Sequence, residues 1–375
     1  MVEGQKVEFL YLDEEAMIEA GVLDMAQCVK VMDEVFVLLG RGDYLMGGPR
    51  NNEHGQKIFF PKTSPFPNMP VAGPDRRFMA MLAYLGGRFN VCGEKWYGSN
   101  IANTQRGLPR SILMVCINDT ETGAPLAFMS ANLLSATRTG AVPGVAAKYL
   151  TRKGAKTVGL IGGGPINKAC LMAICETVPS LEEITLYDIV PEKAEAFLAE
   201  TGKVLGKKTR VAKSTEDALS DADVISIAAA GAKDVEIKDS WLKPGSLLTL
   251  TGKASIEDNY VKRATIVADN WKMHQAYILD ADELPGGRKE SYDEFVAGDI
   301  FKALDKKLID EADIKDLGPI AEGKIQGRKS DEERIMFVTS GMPVEDVGWG
   351  FQLYENARKK GLGQTLKVWD KAHWI

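Results

Sequence analysis

Apolar residues recur along this chain in two rhythms, and one gives way to the other near residue 135. After Leu12-Asp13, the residues Met17, Ile18, Val22, Val29, Met32, Val35, Phe36 and Leu39 fall mostly three or four apart. That spacing gathers them on one helical face and predicts two helices over residues 12–40. Between Gly47 and Pro74 the chain is rich in Gly, Pro and Asn. The runs FMAMLAYLG, SILMVCIND and PLAFMS follow and read as strands joined by turns, with Thr122-Gly123 at a hairpin position between the last two. From Ser135 to Tyr149 a small, apolar pattern predicts a helix linking two domains, although Gly140, Pro143 and Gly144 weigh against its being continuous.

Beyond that helix, strand and helix patterns alternate. TVGLI precedes a helix from Ile166, ITLYD precedes EKAEAFLAETG, and RVAKS precedes TEDALSDA, with VISIAA, LLTLTG and TIVAD after them. Such alternation predicts a parallel sheet covered on both faces. Residues 280–330 are charged, loop-rich and partly helical, and an amphipathic helix from Glu345 is expected to pack back on the first domain. The fold expected is α/β: a Rossmann-type doubly wound parallel sheet plus a strand-rich α+β domain. A length of 375 residues suits two cores better than one.

Charge and composition narrow the partners. A formal net charge of −6 argues against a polyanion, so no nucleic acid is expected and a small molecule fits better. The five cysteines are scattered, without a C-x-x-C pair, and read as reduced core thiols. The three histidines lack ligand spacing, so no metal is expected. No apolar stretch approaches the roughly 18 residues of a membrane span, and the N-terminal segment lacks an apolar core, which makes a cytoplasmic protein the expectation.

The most specific chemistry lies in TVGLIGGGPIN, residues 157–167. A short apolar strand runs directly into glycines and a helix start. Gly162 and Gly164 occupy the first two glycine positions of G-x-G-x-x-G, where the turn is tight and the backbone must approach a pyrophosphate. The helix N-terminus opening at Pro165 and Ile166 supplies N–H groups and the positive end of a dipole. Asn167 stands at the third glycine position, where it either loosens helix-to-strand packing or adds a polar contact. Asp188 ends the next strand, at the spacing where an acid meets the adenosine ribose and repels a 2′-phosphate. Ile189, Val190 and Pro191 follow without an arginine, which favours NAD over NADP. The dinucleotide set is therefore Gly162, Gly163, Gly164, Pro165, Ile166, Asn167, Asp188 and Ile189.

A second group of motifs becomes informative together: Glu94-Lys95-Trp96, Asn103, Arg106-Gly107-Leu108-Pro109-Arg110, Thr122-Gly123 with Pro125, and Ala136-Thr137-Arg138-Thr139-Gly140-Ala141 ahead of the glycine loop. In these the chain resembles the ornithine cyclodeaminase and mu-crystallin family, from about Gly48 to about Gly350. The resemblance implies that residues 1–138 with 335–375 form a substrate-binding and dimerisation domain, and 139–334 the dinucleotide domain of a homodimer. It implies that Lys95, Arg138 and Arg50 bind the substrate α-carboxylate, a task suited to planar guanidinium groups and a point-charge ammonium. It also implies that Thr139, Ser340 and Gly341 face the cofactor phosphates and that Ala228 and Ala229 border the riboses.

The chain departs from that family at two acids. The turn after LLTLTG usually carries an acid, and here reads Gly252-Lys253-Ala254; a second acid expected near KIFFP is replaced by Ile58 or Phe59. Lys253 is left either as an acid or base of depressed pKa, desolvated beside Arg50 and Arg138, or as a ligand for a second carboxylate. Without those acids a diamino-acid substrate is disfavoured. The function expected is NAD-dependent hydride transfer at the α carbon of an amino acid, or of the imine formed from a keto acid or present in a cyclic imine. The alternatives are a cyclodeaminase with bound NAD and a non-catalytic ligand-binding protein.

Overall fold

The computed structural model describes residues 5–229, 235–282 and 287–373. Within the charged region 280–330, residues 283–286 thus lie outside the described residues. The chain folds into two compact units: residues 1–24, 42–138 and 342–375 form one, and 25–41 with 139–341 the other.

In the first unit the strands are β1 (Val7–Leu12), β2 (Tyr44–Met46), β3 (Gln56–Phe59), β4 (Arg77–Leu85), β5 (Val91–Ser99), β6 (Ser111–Asp119), β7 (Pro125–Ser130) and, from the far end of the chain, β18 (Gln364–Trp369). Their order is β18-β1-β7-β6-β5-β4-β2, with β3 also on β4. All neighbours are antiparallel except β1 and β7. Strands β5 and β18 gave no clear signal in the pattern, because β5 mixes Gly, Glu and Lys into its alternation and β18 is exposed throughout. The C-terminal helix Pro343–Lys360 lies over β4, β5 and β6. Gly93 makes that approach possible, since a Cβ there would stand 3.0 Å from Val347. Position by position along β5, Val91, Gly93 and Lys95 face inward while Cys92 and Trp96 face out. The outer face shows Leu45, Phe78, Leu82, Trp96 and Ile112, all exposed.

The second unit holds a sheet of eight parallel strands: β8 (Thr157–Ile161), β9 (Glu183–Tyr187), β10 (Lys208–Val211), β11 (Val224–Ile227), β13 (Leu247–Leu250), β15 (Thr265–Ala268), β16 (Lys315–Asp316) and β17 (Ile335–Val338). A separate two-residue ladder joins β12 (Glu236–Ile237) to β14 (Ser255–Ile256). The order β10-β9-β8-β11-β13-β17-β15-β16 reverses direction between β8 and β11, as in a doubly wound nucleotide-binding sheet.

Three expectations need correction. Strand β17 is a fully buried interior strand, so the chain leaves the nucleotide unit after Gly341 and not after residue 334. The helix Met25–Arg41 belongs to that same unit rather than to the first domain; its Gly40 lies so close to Gly318 that a Cβ would stand 2.4 Å from the Gly318 carbonyl oxygen. The thiols are not all core groups either, for Cys92 is exposed while Cys28, Cys170 and Cys175 are buried.

The helix Asn132–Leu150 carries the chain from one unit into the other without a break, despite Pro143. Its glycines explain themselves by packing. Cβ atoms at Gly140 and Gly144 would fall 2.4 and 2.7 Å from atoms of Ala169 and Ala173 on the helix Pro165–Thr177, so both positions serve close helix contact.

Candidate functional site

The glycine loop takes the geometry a dinucleotide requires. Gly162 has φ +95°, and a Cβ there would press on Ala229 at 2.9 Å. At Gly164, by contrast, a Cβ would meet nothing within 4 Å, so the side of the loop that starts the helix is open. Gly164 is that helix's N-cap and offers no side chain to its N–H groups; Pro165 follows at the first helical position, and no acid lies in the first turn. The N-terminus is thus free to receive an anion.

Asn167 resolves the choice left by the sequence. Fully buried, its side-chain nitrogen donates to the carbonyls of Ile161 (3.0 Å) and Gly162 (2.7 Å), while its oxygen accepts from Ser226 Oγ at 2.7 Å. It therefore ties the end of β8 and the glycine turn to β11. Asp188 meets the loop from β9: Oδ2 accepts from Gly163 N at 2.7 Å and Oδ1 from Val190 N at 2.9 Å. A carboxylate has about four lone-pair sites, so two backbone bonds leave acceptor capacity for ribose hydroxyls. Ile189 beside it is 85% exposed, an apolar surface at the ribose side of the loop. Ala228 and Ala229 follow β11, with Ala228 N donating to Ile161 O and Gly252 close enough that a Cβ would stand 3.2 Å from both alanines. Together these residues fit a dinucleotide.

Past β17, Ser340 and Gly341 have their amides committed. Asp269 Oδ2 accepts from Thr339 Oγ1 (2.8 Å), Ser340 N (2.9 Å) and Gly341 N (3.2 Å), and its Oδ1 accepts from Asn270 N and lies 2.8 Å from His274 Nε2. Burial would raise this carboxyl, but the His274 charge and the donors outweigh it and hold it below the usual range. Asp269 and His274 escaped the sequence reading, since neither stands in a motif. Thr139 lies half-buried on the helix Asn132–Leu150.

The first unit gathers Lys95 and Arg138, as the motifs implied, and adds two acids that were not foreseen. Lys95 Nζ lies 2.7 Å from Asp346 Oδ2, and Arg138 gives Nε to Asp346 Oδ1 (2.8 Å) and Nη1 to Glu345 Oε2 (2.6 Å). Ser135 Oγ, one turn before Arg138, accepts from Lys95 at 3.3 Å. All four charged side chains are buried. Burial first, and then the adjacent Arg138, push the Lys95 ammonium down to about 8 against the pull of Asp346 and Glu345. Arg138 moves the other way, because the two carboxylates outweigh its burial. Glu345 and Asp346 occupy the first turn of the C-terminal helix, where negative charge suits the dipole, and Glu345 Oε2 also accepts from Met342 N. In the sequence they show only as two adjacent acids between Val344 and Val347.

Arg50 and Lys253 stand differently from expectation. Arg50 is partly exposed and pairs at 2.9 Å with Glu53, a buried carboxylate in the same loop that Gln56 also contacts. Hence the region before KIFFP does hold an acid, though one already matched by an arginine. Lys253, expected to be desolvated, is one-third exposed; it pairs with Glu294 at 3.2 Å and donates to the Asp293 carbonyl. Among the described residues no cluster of potential ligands could hold a metal ion, and no helix is long and apolar enough to cross a membrane.

Comparison with known proteins places this geometry. The model of the ornithine cyclodeaminase/mu-crystallin family matches residues 22–361. The N-((2S)-2-amino-2-carboxyethyl)-L-glutamate dehydrogenase of Staphylococcus aureus is 28% identical over 78% of this chain and 82% of its own. The alanine dehydrogenase of Archaeoglobus fulgidus is 31% identical over 77% and 83%. Among solved structures, the Thermococcus litoralis Δ1-pyrroline-2-carboxylate reductase in complex with NADH and L-proline superposes with a TM-score of 0.77 at 26% identity, covering 96% of this chain and all of that one. An archaeal alanine dehydrogenase dimer with bound NAD gives a TM-score of 0.77 at 27% identity over the same shares.

Proposed function

Because this chain belongs to the ornithine cyclodeaminase/mu-crystallin family, we propose that it transfers hydride between NAD and the α carbon of an amino acid or its imine. It is an NAD-dependent enzyme of the amino-acid dehydrogenase and imine reductase kind. The observation that carries the substrate assignment is the convergence of Lys95 and Arg138 in one buried site. Arg138 spends Nε and Nη1 on carboxylates and has Nη2 left to receive a substrate α-carboxylate, with the Lys95 ammonium beside it. Bound at the glycine loop, NAD supplies the hydride acceptor or donor. Gly162 to Asn167 hold its pyrophosphate, and Asp188 its adenosine ribose, with Ile189 against the adenine and Ala228 and Ala229 along the ribose edge. Thr139 and the Ser340 hydroxyl complete the phosphate contacts. We assign no chemistry to Arg50 and Lys253, which are partly exposed, unlike the buried Lys95 and Arg138. Free thiols, Cys92 among them exposed, suit a reducing compartment such as the cytoplasm.

The outer face of the β2–β6 sheet is the proposed dimer interface. Leu82 (46% exposed), Trp96 (42%) and Ile112 (50%) are apolar side chains exposed on it, and Phe78 stacks on Trp96 with ring centroids 5.9 Å apart. Light scattering of the purified chain should give twice the chain mass, and a monomer at micromolar concentration would remove this assignment.

A panel of amino acids with NAD, and of keto acids with ammonia or cyclic imines with NADH, tests the main reading. Sustained NADH formation from an amino acid, or NADH consumption by an imine, is expected. Ammonia release without net NADH would instead make the chain a cyclodeaminase, and binding without turnover would make it a ligand carrier. Asp188→Ala should weaken NAD binding and narrow the preference over NADP; an unchanged preference would remove the ribose role.

The pH dependence follows from Lys95. Its ammonium predominates below about 8 and is progressively lost above it, so affinity for the carboxylate substrate should fall as pH rises through that value. Lys95→Arg, charged throughout, should erase this limb in a plot of kcat/KM against pH. A limb that persists unchanged would assign it to another group.

A further inference from the structure

Lys95 and Arg138 do not present two free positive charges. Asp346 touches both and Glu345 touches Arg138, so the four groups sum to zero. Arg138, Asp346 and Glu345 all act on Lys95, so the set is coupled through its own charges. All four side chains are buried, and a further charge placed among them has little solvent to screen it. A pair of bare cations would take any small carboxylate. This balanced set takes one favourably only when the ligand brings its own positive charge.

We propose that Glu345 and Asp346 set the charge requirement of the substrate site, so that it accepts a carboxylate with a protonated nitrogen on its α carbon and refuses the matching α-hydroxy acid. An amino-acid zwitterion or a protonated cyclic imine meets the requirement. The inference rests on the reading that Lys95 and Arg138 receive the substrate carboxylate, and it assigns the selectivity to residues that act through those two cations.

The test is a titration of the NADH complex of the full chain, followed by quenching of NADH fluorescence near pH 7. The probes are the amino acid that turns over in the panel and its analogue without the charged nitrogen: L-alanine with L-lactate, or L-proline with (S)-tetrahydrofuran-2-carboxylate. Wild type should bind the analogue at least about tenfold more weakly, the cost of an unmatched buried charge. Asp346→Asn gives the set a net positive charge and should close or reverse that gap, whereas a purely structural loss would weaken both probes alike. Glu345→Gln makes the same change from the other acid and serves if Asp346→Asn does not fold. Equal affinities in wild type overturn the proposal, as does an undiminished gap in either folded variant. If neither an amino acid nor an imine turns over, the functional reading itself fails; turnover with equal affinities sinks only the charge requirement.

Discussion

The first unit depends on one buried electrostatic knot. Arg138 comes from the helix that leaves the sheet, Lys95 from the middle of β5, and Glu345 and Asp346 from a helix more than 200 residues further on. Removing any one of them would leave a charge buried and unmatched, a loss of roughly 3–5 kcal/mol when one partner of a buried pair is deleted. The knot therefore fixes where the C-terminal helix starts. It is helped by Gly93, which lets that helix approach β5, and by Trp349, whose ring nitrogen donates to Thr137 Oγ1 at 3.1 Å. The four side chains proposed to recognise substrate are thus also the ones that hold this part of the fold together.

In the nucleotide unit, buried polar groups again hold the strand ends in place. Asn167 fastens the glycine turn to β8 and β11, and Asp269 collects five donors to fix the turn after β17. Both lie at the carboxyl ends of parallel strands, where open α/β sheets bind their ligands. Neither side chain needs to touch a ligand to matter, because each determines where backbone N–H groups point.

Much of this could be read from the sequence, and the failures have physical causes. The glycine loop, Asp188 and the alternation from Thr157 to Ala268 were legible because each strand is a short apolar run with turn residues at its end. Strand β17 was missed because IMFV is four residues long, lies beside the charged DEER run, and enters the sheet between two strands made much earlier. The helix Met25–Arg41 carried the right period, but period alone does not say which unit an apolar stripe will face. Lys95 and Arg138 stand in motifs; Glu345 and Asp346 do not, since acids at a helix start usually serve the dipole in solvent and only packing shows these to be buried. Glu53, in a loop without periodicity, left no pattern to read.

The amide at position 167 has a thermodynamic consequence for the dinucleotide. A glycine-rich turn left slack would have to be ordered when the cofactor arrives, at about 1–2 kcal/mol for each residue fixed. Here the Asn167 cross-links meet that entropy cost during folding, and the socket exists before its occupant. At the third glycine position the turn is thus fixed by the hydrogen bonds of a side chain and not by close packing of a glycine alone.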